Sequence, residues 1–180
     1  MERWVQKGEE LVTDEQIGYF LGRIKGLSSG TKVDLRRSLG KLYGEVTPDL
    51  QLAVMYGVPD DMHPTDEQLQ NLLFTAQVMC MAGDGFVEKP EKAVTQIIRD
   101  TERKRAASTD FSDSKMSELL SCSTGKHGDI YRVLGSILYG SKKNIDCFSL
   151  LKDLETWRYD STKRKWASAY IKTRKDNDNE

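Results

Sequence analysis

A chain of 180 residues is long enough to bury a substantial core, as one ordinary domain or as two small ones. With 38% hydrophobic and 31% charged residues it is too apolar for a disordered tail and too polar for a membrane protein. The formal net charge of −1 speaks against a protein that is basic all over and finds polyanions unaided.

The dominant period is helical. Thr13-Asp14-Glu15-Gln16 has the form of a capping box, and Ile17, Phe20, Leu21 and Ile24 follow on one helical face. Gly26 to Gly30 reads as a turn. Val33, Leu35, Leu39 and Leu42 mark a second helix ending at Gly44, with Lys32, Arg36, Arg37 and Lys41 on its opposite face. Pro48 opens a short third helix through Leu50, Leu52, Val54 and Met55, which stops near Gly57-Val58-Pro59. Thr65 caps a fourth, long and apolar, with Leu69, Leu72, Leu73, Ala76, Met79 and Cys80 as its stripe and Gly83-Asp84-Gly85 at its end. That helix is expected at the centre of the first half.

Residues 88–111 read as a basic, flexible connector, because Arg99 to Thr109 is nearly all charged or small. Ser114 to Leu120 predicts a short helix, and Ile130 to Tyr139 a second with Ile130, Val133, Leu134, Ile137 and Leu138 buried. Asp146 caps a third bearing Phe148, Leu150, Leu151, Leu154 and Trp157, and Asp160-Ser161 opens the last, with Trp166, Ala169 and Tyr170 inward. Strand patterning is nearly absent. The expected class is all-α, as two small helical bundles (1–87 and 112–175) joined by the connector and followed by a disordered tail, 176–180.

Little in the chain points to catalysis. Three scattered cysteines (Cys80, Cys122, Cys147) and two histidines (His63, His127) offer no closely spaced ligand set, so no metal and no other cofactor is expected. Unpaired cysteines and a first segment with no apolar core suggest a reducing cytoplasm, and the apolar run Leu72–Ala82 is about half of the roughly 20 residues a bilayer span needs. Ser123-Thr124-Gly125-Lys126-His127 falls short of a phosphate-binding loop. Leu120 stands where that loop needs its first glycine, and His127 where it needs Ser or Thr. The turn keeps one possible use, as a basic, glycine-flanked meeting point for a phosphate. Trp157 and Trp166 read as core aromatics in preference to stacking platforms.

Charge distribution is the more informative signal. Residues 1–88 hold 8 basic and 14 acidic side chains, whereas 115–175 hold 13 basic and 6 acidic, a net of +7. Basic residues cluster at helix starts and turns, where backbone donors can also meet phosphate: Arg36 and Arg37, then Lys126, His127 and Arg132, then Lys142 and Lys143, then Lys163 and Arg164. A solvated helix face explains such residues equally well one at a time.

Tyr131-Arg132-Val133-Leu134, Ile145-Asp146, Leu150-Leu151-Lys152-Asp153-Leu154, Trp157 and Arg164-Lys165-Trp166-Ala167 with Tyr170 occur in that order. This succession resembles the C-terminal signature of the CasB family, the small subunit of type I-E CRISPR Cascade complexes: LLxDLxxW, then a basic RxxWAxxF/Y helix. Gly30-Thr31-Lys32-Val33-Asp34-Leu35-Arg36-Arg37-Ser38-Leu39-Gly40 is similar to the family's LRRxLG-containing opening, and the resemblance covers about residues 13–172. The segment 88–109 lacks the Ser-Leu-Gly loop common in the family, so contacts of that loop are not carried over. The resemblance implies a non-catalytic, helical subunit that pairs as a homodimer beside the backbone and large subunits. It would bind crRNA-loaded complex and hold the displaced strand of target DNA to stabilise the R-loop. The nucleic-acid-binding residues expected on that basis are Arg36, Arg37, Lys126, His127, Arg132, Lys142, Lys143, Arg158, Lys163 and Arg164. The alternative expectation is a helical adaptor that binds protein through an apolar surface and never touches nucleic acid. A continuous basic stripe would favour the first and a large exposed apolar patch the second.

Overall fold

The computed structural model describes residues 10–83, 109–139 and 145–177, with side chains over 10–83, 113–139 and 145–172. The fold is all-α, with eight α-helices and no β-strand among the described residues. Local caps set most of the helix starts. Thr13 opens α1 (Asp14–Lys25) with a reciprocal box, Gln16 N–H donating to Thr13 Oγ1 at 3.2 Å and Thr13 N–H to Gln16 Oε1 at 3.0 Å. Ser28 caps α2 (Ser29–Arg37), Thr47 with Pro48 opens α3 (Pro48–Gly57), and Thr65 with Gln68 boxes α4 (Asp66–Ala82). Gly30, expected in a turn, therefore sits in the first turn of α2.

The second helix ends earlier than its apolar pattern predicts. It stops at Arg37, and the chain turns through Ser38–Gly40, Gly40 at φ +81°, before a single 3-10 turn at Tyr43–Glu45. The cause is a side chain far away in sequence. Gln77 of α4 donates to the Ser38 carbonyl at 2.8 Å and accepts from Gly40 N–H at 3.2 Å, which satisfies groups that a continuing helix would have used itself. Leu39 and Leu42 are left half-buried.

Helix α4 is central, as its apolarity suggested, and it is buried on every side rather than along a stripe. Asn71 to Met79 are all buried in succession. It packs against α2, α3 and the 3-10 turn, and also against α6 (Ile130–Leu138) and α7 (Cys147–Glu155). Helix α1 lies on α3 and α7; α5 (Thr109–Ser121) lies on α6 and α8 (Asp160–Asn177). One hydrophobic cluster runs from Val12 to Tyr170, so the segments expected as separate bundles, 1–87 and 112–175, share a core. Most of the expected connector lies outside the described residues. Its end, 109–111, is helical, since no Gly or Pro interrupts Thr109–Ser121, and α8 runs to Asn177, two residues into the expected tail.

The tryptophans are core, as read from their spacing. Trp157 and Trp166 meet edge to face at 5.1 Å, closing the corner between α7 and α8. Trp157 Nε1 donates to the Cys122 carbonyl at 3.0 Å and Trp166 Nε1 to Asp153 Oδ2 at 2.7 Å.

Candidate nucleic-acid interface

Two glycines bring Lys41 of the first half and Arg132 of the second to one place. A Cβ on Gly40 would stand 3.2 Å from the Tyr131 carbonyl oxygen and 3.5 Å from Arg132 Cα; a Cβ on Gly135 would stand 3.3 Å from Gly40 Cα. The turn after α2 therefore lies directly on α6, a contact that side chains would block. Along this crossing runs a hollow of about 520 Å³, lined by Lys41 and Glu45 from the turn and by Arg132, Ser136 and Tyr139 from α6. Arg132 is exposed, and Tyr139 is 73% exposed.

Arg36 and Arg37 stand exposed in the last turn of α2, immediately before this turn. Cations there complement the helix C-terminus, which explains their local placement; neither lines the hollow. Arg37 lies 3.9 Å from Asp34 with both side chains largely in solvent, a contact that binds neither firmly. Among the described residues Glu45 is the one carboxylate in the lining, and its Oε2 accepts from Leu42 N–H at 2.8 Å. The hollow thus offers a net positive, open groove with an exposed aromatic ring beside it. Such a groove suits a phosphate backbone with an adjacent base stacked on the ring.

The turn with Lys126 and His127 is built otherwise. Its donors face inward: Ser123 N–H to Asp129 Oδ1 at 2.8 Å, Gly125 N–H to Tyr131 Oη at 3.0 Å, Gly128 N–H to the Gly125 carbonyl at 2.9 Å. Thr124 donates to Glu67 Oε1 at 2.6 Å, which sets a carboxylate against the turn. Asp129 is held below the usual carboxylate range, chiefly by the Ser123 N–H, so it stays ionised there. These backbone groups form no phosphate nest. The side chains of Lys126 and His127 are exposed.

Among the remaining predicted residues, Lys163 is half-buried and committed, its Nζ donating to the Cys122 carbonyl at 3.4 Å and lying 5.9 Å from the Trp157 ring centroid. Arg164 is exposed. Arg158 is exposed and lies over Tyr159, its guanidinium carbon 5.2 Å from the ring centroid and Nη2 donating to Tyr159 Oη at 3.3 Å. Lys142 and Lys143 lie outside the described residues. The structure places Arg132, alone of the described predicted residues, in the lining of the hollow. It ends α2 with Arg36 and Arg37 just before the turn that lines the hollow, and leaves Lys126, His127, Arg158, Lys163 and Arg164 outside that lining. It adds Lys41 and Tyr139, which spacing alone did not single out as binding residues.

A buried polar network, also unforeseen, runs behind this surface. Tyr131 Oη donates to Asn71 Oδ1 at 2.7 Å; Asn71 Nδ2 donates to Glu155 Oε1 at 2.8 Å; Gln68 Nε2 donates to Glu155 Oε2 at 3.2 Å and to the Glu10 carbonyl at 3.0 Å. Burial raises the Glu155 pKa against these hydrogen bonds. The space beside Glu155 is about 10 Å³, room for one water at most, so this carboxylate joins helices rather than meeting a substrate. Burial likewise holds the Cys80 and Cys122 thiols up to about 11 and Cys147 higher still, so they remain thiols at neutral pH. No group of three or more His, Cys, Asp or Glu side chains is placed to hold a metal among the described residues, nor is any helix there long and apolar enough to cross a membrane.

No family model matches the chain, and no curated protein or solved structure is found to be similar to it. The resemblance therefore rests on its motif residues. Tyr131, Leu150, Leu151, Leu154, Trp157, Trp166 and Tyr170 are all buried, and Asp153 ties α7 to α8 through Trp166 and, at 2.6 Å, through Lys165. The motif describes how this corner is packed; the exposed cations are what remain to act.

Proposed function

We propose that this chain is the non-catalytic small subunit of a type I-E CRISPR surveillance complex. In that reading it grips nucleic-acid backbone through the hollow where the turn after α2 lies on α6, and so stabilises the R-loop and its displaced strand. The observation that supports it is the meeting of Arg132 from one half with Lys41 from the other in one open hollow, beside exposed Tyr139, with Arg36 and Arg37 ending the helix that leads into it. Guide pairing reads sequence in such complexes, so the protein needs only a sequence-blind hold on phosphates. Arginine forks and lysine point charges supply that hold without base-reading contacts.

R-loop formation is a near-balanced exchange of duplex for heteroduplex, so a few phosphate contacts decide whether it persists. The partners in this reading are crRNA, target DNA, the backbone and large subunits, and a second copy of the chain, in the cytoplasm. Co-expression with the backbone and large subunits and a crRNA tests it. The expected result is a complex that retains this chain with the RNA through size exclusion. A complex that assembles without it, at its full affinity for target DNA, would overturn the reading.

A further inference from the structure

A second surface is apolar and uncovered by any of the described residues. Leu52, Met55 and Tyr56 stand at i, i+3 and i+4 on α3, exposed by 58%, 42% and 70%. The inward face of the same helix is Leu50, Ala53, Val54 and Gly57, so α3 is apolar on both sides. Tyr19 of α1, 49% exposed, adds to this surface, since α1 packs on α3 and Arg23, one turn beyond Tyr19, donates to the Tyr56 carbonyl at 3.4 Å.

Two glycines mark the same strip of α1. A Cβ on Gly18 or on Gly22 would meet nothing within 4 Å. Each glycine inside a helix costs about 1 kcal/mol relative to alanine, and no contact with the described residues offsets it. Placed four residues apart, they leave a bare length of helix backbone beside Tyr19. A second helix can approach closely there.

The charges around this surface are mostly negative. Glu15 stands one turn before Tyr19, Asp49 one turn before Leu52, and Asp60 and Asp61 follow the end of α3, all exposed; Arg23 is the cation among them. Apolar contact gives area, and such a rim selects the sign of the partner's charge.

We propose that the outer faces of α1 and α3 form a docking surface for a helix of another protein, one with an apolar stripe flanked by Lys and Arg. This surface is distinct from the basic hollow, and the inference stands whether or not the chain binds nucleic acid. Its probe is a synthetic amphipathic helix with leucines at its stripe and lysines on both flanks, titrated against the full-length chain. The control is the same peptide with glutamates in place of the lysines.

The lysine peptide is expected to bind, more weakly as salt rises, and at least tenfold more tightly than the glutamate peptide. Leu52→Glu and Tyr56→Glu, both at exposed positions that leave the helical circular dichroism unchanged, are expected to abolish binding. Gly22→Ala separates docking from folding: it is expected to raise the melting temperature while weakening the lysine peptide at least fivefold. Equal binding of the two peptides, no binding, or binding indifferent to Leu52→Glu and Tyr56→Glu would each overturn the proposal. A wild-type dimer that Tyr56→Glu dissociates would overturn it too, by making a second copy the occupant.

Discussion

Asn71 holds two buried groups at once, accepting from Tyr131 Oη and donating to Glu155. Replacing it with leucine conserves bulk but leaves the Tyr131 hydroxyl hydrogen without its acceptor and Glu155 Oε1 without its donor, although Gly125 N–H and Gln68 still bond the two residues. Each orphaned buried polar group costs about 1–3 kcal/mol, so Asn71→Leu is expected to lower unfolding free energy by at least about 2 kcal/mol in urea melts. Glu155 gives a pH signature. Its folded pKa is raised by burial, so the folded state binds its proton more tightly than the unfolded chain does. Its contribution to stability is therefore full below the unfolded value of about 4.3 and is lost as pH rises through the folded value. The difference in urea midpoint between wild type and Glu155→Gln should change steadily across that window, and a constant difference would contradict it. At the hollow, the two kinds of contact separate by salt. Arg132→Gln should reduce the salt slope of single-strand binding by about 1, whereas Tyr139→Ala should weaken binding by about 1–3 kcal/mol with the slope unchanged.

Among the elements, what the sequence made legible was what neighbours in sequence decide. The caps at Thr13, Pro48 and Thr65 and the core stripes of α1 and α6 follow from residues within one or two turns. The early end of α2 does not, because the group that fixes it, Gln77, lies 37 residues from Gly40. The polar burial of α4 was hidden for a related reason: Gln68, Asn71 and Gln77 look like solvent-facing positions until their partners arrive from other helices. The candidate site divides the same way. Arg132 was visible as a charge, but its meeting with Lys41 depends on Gly40 against Gly135, and the use of Lys163 depends on a carbonyl 41 residues away. Gly135→Ala is accordingly expected to be destabilising, since its Cβ would press on Gly40 backbone at 3.3–3.4 Å, and to weaken nucleic-acid binding beyond what the loss of stability explains. Melting and binding measured on the same preparation check both.

Across the whole molecule, the near-zero net charge conceals a division of surfaces. Residues 115–175, at net +7, share one hydrophobic core with an acidic first half, and the turn that carries Lys41 lies on the helix that carries Arg132. A weakly charged molecule is poorly suited to finding DNA alone, but a docked subunit needs only a local positive groove. The central claim is that this groove steadies the opened target within an assembled complex. The direct measurement is R-loop lifetime on target DNA at physiological salt, for complexes carrying wild-type chain or the Arg36→Glu, Arg37→Glu, Arg132→Glu triple variant. With subunit incorporation equal, the lifetime is expected to fall at least tenfold in the variant. An unchanged lifetime would contradict the account.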